Sequence, residues 1–240
     1  MLDLLIVAPS AANLYQELKN NFSAKETNLW AGMLANAVRK DHSVAIYDLE
    51  VEMPSVDEFI DRVRHLNPRL VLFVVTGQNP NASTAAMSGA TSASSVLSDE
   101  FKIAFVGPHV NSLPLETLEK HSEIDIVFTN EGVYALRNVL KSNLSDLDLS
   151  GINGIAYRSD GGDIKLNNPE KIVPQDMLQQ ELPGVAYDLM PSLDKYRTST
   201  WHTNFLGDTS PFASIYTSLG CFSKCSFCMI NSINRTSHDF

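Results

Sequence analysis

Across the first 140 residues, short apolar runs alternate with segments of helical spacing, and the alternation repeats until five runs have passed. Leu4 to Ala8 is the first run, stopped by Pro9, and Leu29, Met33, Leu34, Ala37 and Val38 then recur as one helical face. His42 to Leu49 is the second run. Pro54 and Ser55 open a helix through Phe59, Ile60, Val63 and Leu66, which Asn67-Pro68 closes. Leu70 to Val75, the most hydrophobic run, exits through Thr76-Gly77-Gln78-Asn79-Pro80-Asn81 into an Ala/Ser-rich helix that reaches about Leu97. Ile103 to Val106 exits at Gly107-Pro108-His109, and a short helix covers Pro114 to Lys120. Ile124 to Phe128 exits at Thr129-Asn130-Glu131-Gly132 into a last helix ending near Leu140. Runs that are apolar at every position read as strands buried on both faces. Five strand segments separated by helices predict an α/β fold, a doubly wound five-stranded parallel sheet of Rossmann-like type with right-handed crossovers. Such sheets bind ligands outside the carboxyl ends of their strands, so the exits above form the expected binding rim.

Beyond this unit the pattern changes. Residues 141–150 are polar, and Ile152 to Tyr157 with Asp163 to Leu166 flank Asp160-Gly161-Gly162 as a hairpin. Residues 168–212 carry Pro169, Pro174, Pro183, Pro191 and Pro211 with little periodicity and read as an extended connector. Phe212 to Ser218 reads as a new strand. The expected division is 1–145 for the α/β domain, 146–182 for hairpin and linker, and 183–240 for the start of a second domain, with the first domain folding independently of the last. Composition is globular, with 44% hydrophobic and 19% charged residues. With 18 Lys plus Arg against 28 Asp plus Glu the net charge is -10, which lacks the basic footprint of a nucleic-acid binder. No uncharged apolar run approaches the ~18 residues of a membrane span. The apolar N-terminus carries Asp3 and no preceding basic region, so it reads as a strand and not as a secretory signal.

All three cysteines, Cys221, Cys225 and Cys228, fall within one loop. An odd number so closely spaced is no disulfide framework and fits a metal site in a reducing compartment, here the cytoplasm. The spacing C-x₃-C-x₂-C offers three thiolates to a cubane [4Fe–4S] cluster. Most cluster proteins supply four cysteines, so the fourth iron here is left open to a substrate or cofactor. A structural zinc site is the alternative, with His238 as a fourth ligand, but the second Cys pair usual for such sites is missing.

The three cysteines, an aromatic before the last of them (Phe227) and the strand expected just upstream resemble the radical S-adenosylmethionine superfamily. The resemblance implies that the open iron is chelated by S-adenosylmethionine, whose C–S bond is reductively cleaved to a 5′-deoxyadenosyl radical, with Phe227 near the adenine. It also implies that Phe212 to Ser218 is the first strand of a (β/α) barrel, and that an electron donor such as flavodoxin or ferredoxin serves the cluster. A barrel of this kind needs ~200 residues or more, so residues 1–240 read as the N-terminal part of a longer enzyme, inactive by itself toward its small-molecule substrate.

The first 140 residues resemble the cobalamin-binding domain that precedes the barrel in one large subgroup. The likeness rests on Gly107-Pro108-His109 with Pro114, Glu116 and Leu118, on Asp125-Ile126-Val127, and on Glu131-Gly132. Ala186-Tyr187-Asp188-Leu189-Met190-Pro191 with Tyr196-Arg197 is similar to that subgroup's connector. Carried onto this sequence, the cobalamin contacts are Thr76, Gly77, Gln78, Asn79, Gly107, Pro108, His109, Glu131 and Gly132. Cobalamin-dependent mutases carry Asp-x-His-x-x-Gly after the first strand. Here that loop is Pro9-Ser10-Ala11-Ala12-Asn13, so cobalamin either binds without a protein histidine on cobalt or has been lost. The implied reaction is a radical methylation or oxidoreduction, or a rearrangement or cyclisation in secondary or lipid metabolism. A cobalamin- or nucleotide-binding module whose cysteine loop is inert is the runner-up. A methylthiotransferase of transfer RNA is disfavoured, because residues 1–220 hold no further cysteine.

Each of these residues also has a plain structural role to fill. Gly77 and Gly107 suit turns after strands, and Gln78, Asn79 and Asn81 suit helix caps. Glu131 suits a helix start, as do Asp57 and Glu58. His42, His65, His121 and His202 have no partner pattern. No paired carboxylates and no Ser-His-Asp order stand out.

Overall fold

The computed structural model describes residues 1–11, 24–76, 83–198, 209–221, 223, 225, 226, 228 and 230. The expected parallel sheet is present. Strands β1 (Leu2–Ala8), β2 (Val44–Asp48), β3 (Pro68–Val74), β4 (Lys102–Val106) and β5 (Ile126–Phe128) all run parallel, with Ile6 opposite both Ile46 and Leu72, and Phe73 opposite Phe105. The sheet is wider than the sequence predicts. The hairpin β6 (Ile155–Arg158) and β7 (Ile164–Leu166) adds antiparallel to β5, giving a seven-stranded mixed sheet in the order β2-β1-β3-β4-β5-β6-β7.

Side chains alternate across this sheet with period two. One face carries Leu4, Ile6, Leu70, Leu72, Val74, Ile126 and Phe128. It is covered by α1 (Leu29–Val38) and α7 (Val133–Lys141) through Trp30, Leu34, Leu136 and Val139. The other carries Leu5, Val7, Val71, Phe73, Ile103, Phe105 and Val127. It is covered by α3 (Val56–Leu66) and α4 (Ser83–Ser95) through Phe59, Val63, Met87 and Ala90. The short helices α2 (Leu49–Glu52), α5 (Pro108–Ser112) and α6 (Pro114–Lys120) complete the crossovers. Local chemistry sets the helix ends. Ser55 and Glu58 form a reciprocal capping box on α3, and Asn67 ends that helix in the left-handed region. Asn28 caps α1 by accepting from the Ala31 amide at 3.1 Å.

Two expectations change here. The strand expected at Phe212 to Ser218 is not formed: these residues are described and belong to no ladder. A strand needs a repeating ladder to a neighbour, and among the described residues this segment has only isolated bonds, from the Phe212 amide to the Leu193 carbonyl at 3.3 Å and from the Tyr187 hydroxyl to the Ser214 carbonyl. The connector is also not free of the domain. After α8 (Asp146–Leu149) and the hairpin, it runs through α9 (Leu178–Glu181) and lies along α1 and α7, burying Val173, Leu182, Ala186 and Tyr196. The Ala186 amide donates to the Gly32 carbonyl at 3.1 Å, and the Asn36 side chain donates to the Gly184 carbonyl at 3.1 Å. Arg39 forks onto both Asp188 oxygens at 2.7 and 2.6 Å, and Arg137 pairs with Glu181. Lys25 and Arg197 exchange backbone hydrogen bonds at 2.8 and 3.0 Å. Among the described residues no helix is long and apolar enough to cross a membrane.

The residue-145 boundary therefore falls between β5 and strands that complete its sheet. Cutting there removes the fully buried Ile155, Ala156 and Tyr157 and opens the β5 edge, a template for association. A chain ended after residue 145 is expected to aggregate, and one ended after residue 198 to stay monomeric with a cooperative thermal transition. Light scattering and thermal unfolding distinguish them, and equal behaviour would show the hairpin to be dispensable.

Candidate functional site

The carboxyl ends of the parallel strands form a rim that divides into two halves. In the first, the exits of β1, β2 and β3 meet. β1 leaves through Pro9, Ser10 and Ala11, and the Ser10 hydroxyl (2.6 Å) and the Ala11 amide (3.0 Å) both donate to Glu50 Oε2. β2 ends at Asp48, which caps α2. Its Oδ1 accepts from the Glu50 amide at 3.0 Å and its Oδ2 from the Tyr196 hydroxyl of the connector at 2.8 Å. Asp48 is 3% exposed. Burial pushes its carboxyl up to about 6, although the Tyr196 hydroxyl and the backbone amides of Glu50 and Val51 pull the other way. β3 exits to Thr76, whose hydroxyl donates to Asn28 Oδ1 at 3.1 Å, and the Asn28 amide donates to the Val74 carbonyl at 3.0 Å. The α1 cap and the β3 exit are thereby locked together.

These exits enclose a cavity of about 370 Å³. Its wall is completed by Glu26 and Thr27 ahead of α1, by Ala85 and Ala86 of α4, and by Ser214, Ile215 and Tyr216 from the segment leading to the cysteines. Ile215 and Tyr216 are exposed there.

The second half, at β4 and β5, is a closed hydrogen-bond network. The Gly107 amide donates to Asn111 Oδ1 at 3.2 Å, and Asn111 Nδ2 donates to the Asn130 carbonyl at 2.7 Å. Asn130 Oδ1 accepts from the Gly132 amide at 3.0 Å, and its Nδ2 donates to the Glu170 carbonyl at 2.9 Å. The Glu131 carboxylate is buried and accepts from the Val173 amide, while its carbonyl accepts from the Trp30 indole at 3.1 Å. Burial pushes Glu131 up to about 7, with the Val173 amide opposing. This carboxylate fastens the connector to the sheet.

Of the residues expected to contact a cofactor, the structure sets Thr76 in the cavity wall. Gly107, Pro108, Glu131 and Gly132 are buried at the β4 and β5 exits, outside the lining of that cavity. His109 is half-buried with Nδ1 3.3 Å from the Thr84 hydroxyl, and burial holds its imidazole below the usual value. Gly77, Gln78, Asn79 and Phe227 lie outside the described residues. Cys221 and Cys225 are exposed thiols and Cys228 is half-buried. The Ser223 amide donates to Cys221 Sγ at 3.4 Å, and the Cys228 amide to the Cys225 carbonyl at 3.1 Å. Among the described residues no three His, Cys, Asp or Glu side chains converge as a site for a metal ion.

Sequence reasoning missed Asp48, Glu50, Thr27, Asn28 and Tyr196 as parts of the rim. Asp48 had a usable signal, since it closes an otherwise apolar strand at its carboxyl end. Tyr196 had none beyond its place in the connector, because its partner lies 148 residues away in the chain.

Known proteins share this fold. The B12 binding domain family model matches residues 18–140. An uncharacterized methyltransferase of Pyrococcus horikoshii is 29% identical over 200 residues, covering 81% of this chain and 39% of that protein. The cobalamin-dependent S-adenosylmethionine radical enzyme OxsB, in its apo form, superposes with a TM-score of 0.61 at 22% identity, over 95% of this chain and 28% of that one. TsrM from Kitasatospora setae, a radical S-adenosylmethionine methyltransferase solved with cobalamin and a [4Fe-4S] cluster bound, gives 0.54 at 14% identity over 73% and 30%. The chain spans between 26% and 39% of the length of the curated relatives it matches. The family model matches half of the chain, and the doubly wound sheet agrees with it: the chain belongs to the B12-binding domain family.

Proposed function

We propose that this chain is the N-terminal part of a cobalamin-dependent radical S-adenosylmethionine enzyme acting on a small-molecule substrate, with methyl transfer as its reaction class. One observation carries the reading. The segment Ser214-Ile215-Tyr216, which leads into Cys221, forms a wall of the rim cavity, so one rim serves both the B12-binding fold and the cysteine loop.

The cavity lining fits an edge of a corrinoid, while among the described residues the three thiols share one loop without converging as a metal site. The cavity is smaller than a whole corrinoid and takes an edge of one, lined by small apolar side chains (Ala8, Pro9, Ala11, Ala85, Ala86) beside polar Thr27, Asn28 and Thr76. Asn28 and Thr76 are held by their own hydrogen bonds, so the wall needs little reordering on binding. Cys221, Cys225 and Cys228 supply three free thiols on one accessible loop. Held by these thiols, a [4Fe–4S] cluster would supply the electron for reductive cleavage of S-adenosylmethionine, and cobalamin would supply methyl-transfer chemistry. A flavodoxin- or ferredoxin-type donor would reduce the cluster. The carboxylates of Glu26, Asp48 and Glu50 in the wall disfavour a phosphate in this cavity, which suits it to a neutral edge of the ligand.

The test is metal and cobalamin content. Anaerobic reconstitution of the purified chain is expected to give ~4 Fe, as for a cubane cluster. Cys225→Ala is expected to abolish uptake without unfolding the chain, because Cys225 is exposed. Titration with cobalamin is expected to give a saturable change in its visible spectrum. Stoichiometric zinc with no iron uptake would replace the cluster with a structural metal site. Cobalamin binding without iron would leave a binding module.

A further inference from the structure

Three buried side-chain polar atoms have no hydrogen-bond partner among the described residues: Thr27 Oγ1, Tyr157 Oη and Arg158 Nε. Only Thr27 also belongs to the lining of the rim cavity, and it is 6% exposed. A buried hydroxyl left unpaired costs about 1–3 kcal/mol, so its persistence in a cavity wall points to a partner that arrives with a ligand. Around it the described residues of the wall include Glu26, Asp48 and Glu50, with no Lys or Arg among them. Asp48 and Glu50 each accept two or more hydrogen bonds from this chain. A carboxylate offers about four lone-pair sites, so both keep capacity for further donors. The wall is therefore rich in acceptors, carries one unpaired hydroxyl, and repels anions. The net charge of -10 adds to that repulsion.

The rim of a corrin bears acetamide and propionamide side chains, which are neutral and offer both N–H donors and carbonyl acceptors. We infer that the β1–β3 cavity is a subsite for this amide-bearing edge, with the Thr27 hydroxyl bonding an amide and the Glu26, Asp48 and Glu50 carboxylates rejecting corrinoids whose amides are replaced by acids. This rests on the cobalamin reading above and deepens it into a specificity for amidated corrinoids.

The experiment is a visible-absorbance titration of the whole chain with cobalamin, cobinamide and the heptacarboxylate cobyrinic acid. Cobalamin and cobinamide are expected to bind, and cobyrinic acid at least tenfold more weakly than cobinamide. Thr27→Val preserves shape and removes the hydroxyl. It is expected to weaken cobalamin binding about 5- to 30-fold, the size of one or two lost hydrogen bonds, while Thr27→Ser restores it. Glu50→Gln, which still accepts from Ser10 and Ala11, is expected to narrow the discrimination against cobyrinic acid. Circular dichroism and thermal unfolding check that each variant is folded. Cobalamin binding by Thr27→Val at parental affinity, or equal binding of cobyrinic acid and cobinamide, would overturn the inference while leaving cobalamin binding standing. Failure of the parent chain to bind any corrinoid would overturn both.

Discussion

Replacing Gly107 by alanine is expected to destabilise the domain by more than about 4 kcal/mol, a size few single substitutions reach, and to leave little folded protein. Gly107 has φ +145°, a region that residues with a Cβ avoid, costing about 1–3 kcal/mol by itself. The added Cβ would also stand 2.1 Å from the Val75 carbonyl oxygen, a backbone atom that cannot swing aside. The Val75 amide is bonded to the Val106 carbonyl at 2.7 Å, so moving either chain unzips the β3–β4 exit. The Gly107 amide also anchors Asn111, and through it the β5 exit. Against a total of about 5–15 kcal/mol, such a loss is decisive. Gly162→Ala is the control. Its φ is +88°, but nothing lies within 4 Å of the added Cβ, so it carries conformational strain alone. Urea unfolding of the two variants measures the difference. A Gly107→Ala protein within about 1 kcal/mol of the parent would show that the exit can relax.

Glu131→Gln is expected to remove the pH dependence that this carboxyl imposes on stability. The folded-state value of about 7 lies above the ordinary 4.5, raised by burial. Between those two values the folded chain keeps a proton that the unfolded chain has released. The contribution of Glu131 is therefore fully present below about 4.5, falls as pH rises to about 7, and stays lost above it. At 1.36 kcal/mol per pH unit, a displacement of this size amounts to about 3 kcal/mol. Glutamine keeps an acceptor for the Val173 amide and does not titrate. A buried amide N–H adds a cost that is the same at every pH, so the readout is the change in the difference between the two proteins. From pH 4.5 to pH 8 that difference is expected to move by about 3 kcal/mol in favour of Glu131→Gln. Asp48, raised in the same direction to about 6, is present in both proteins and cancels. Parallel pH profiles for the two proteins would show that the Glu131 carboxyl is ionised in the fold.

The raised carboxyl at Glu131 and the strained turn at Gly107 both lie on the closed half of the rim, where no buried side-chain polar atom of the described residues is left unpaired. The open half, at β1 to β3, has the orphaned hydroxyl, the acceptor-rich wall and the exposed Ile215 and Tyr216. The stable half fixes the sheet and the connector, and the half left incomplete is the one suited to a ligand.

The parallel sheet was legible because its strands are buried on both faces. Leu4 to Ala8, Leu70 to Val75 and Ile103 to Val106 are apolar at successive positions, and in a chain of this length only a doubly covered sheet absorbs such runs. The Asp-Gly turn likewise announced the hairpin, and the cysteine spacing announced a metal-binding loop. These are local signals, carried by residues close together in sequence. Where the hairpin docks was not local: Ile155 faces Phe128 because β5 would otherwise be an open edge. Nor did Phe212 to Ser218, apolar enough for a strand, contain the partner that a strand needs. The rim was the least legible part. Thr76 was found from its place after β3, but Asp48 meets Tyr196 across 148 residues, and Glu131 turns to Val173 and away from the cavity. Periodicity thus determined which segments are strands and helices, and so where a rim must lie. Only the tertiary structure decided which half of that rim is open, because burial, charge and unpaired hydrogen-bonding groups at a point in space are contributed by segments that no sequence interval brings together.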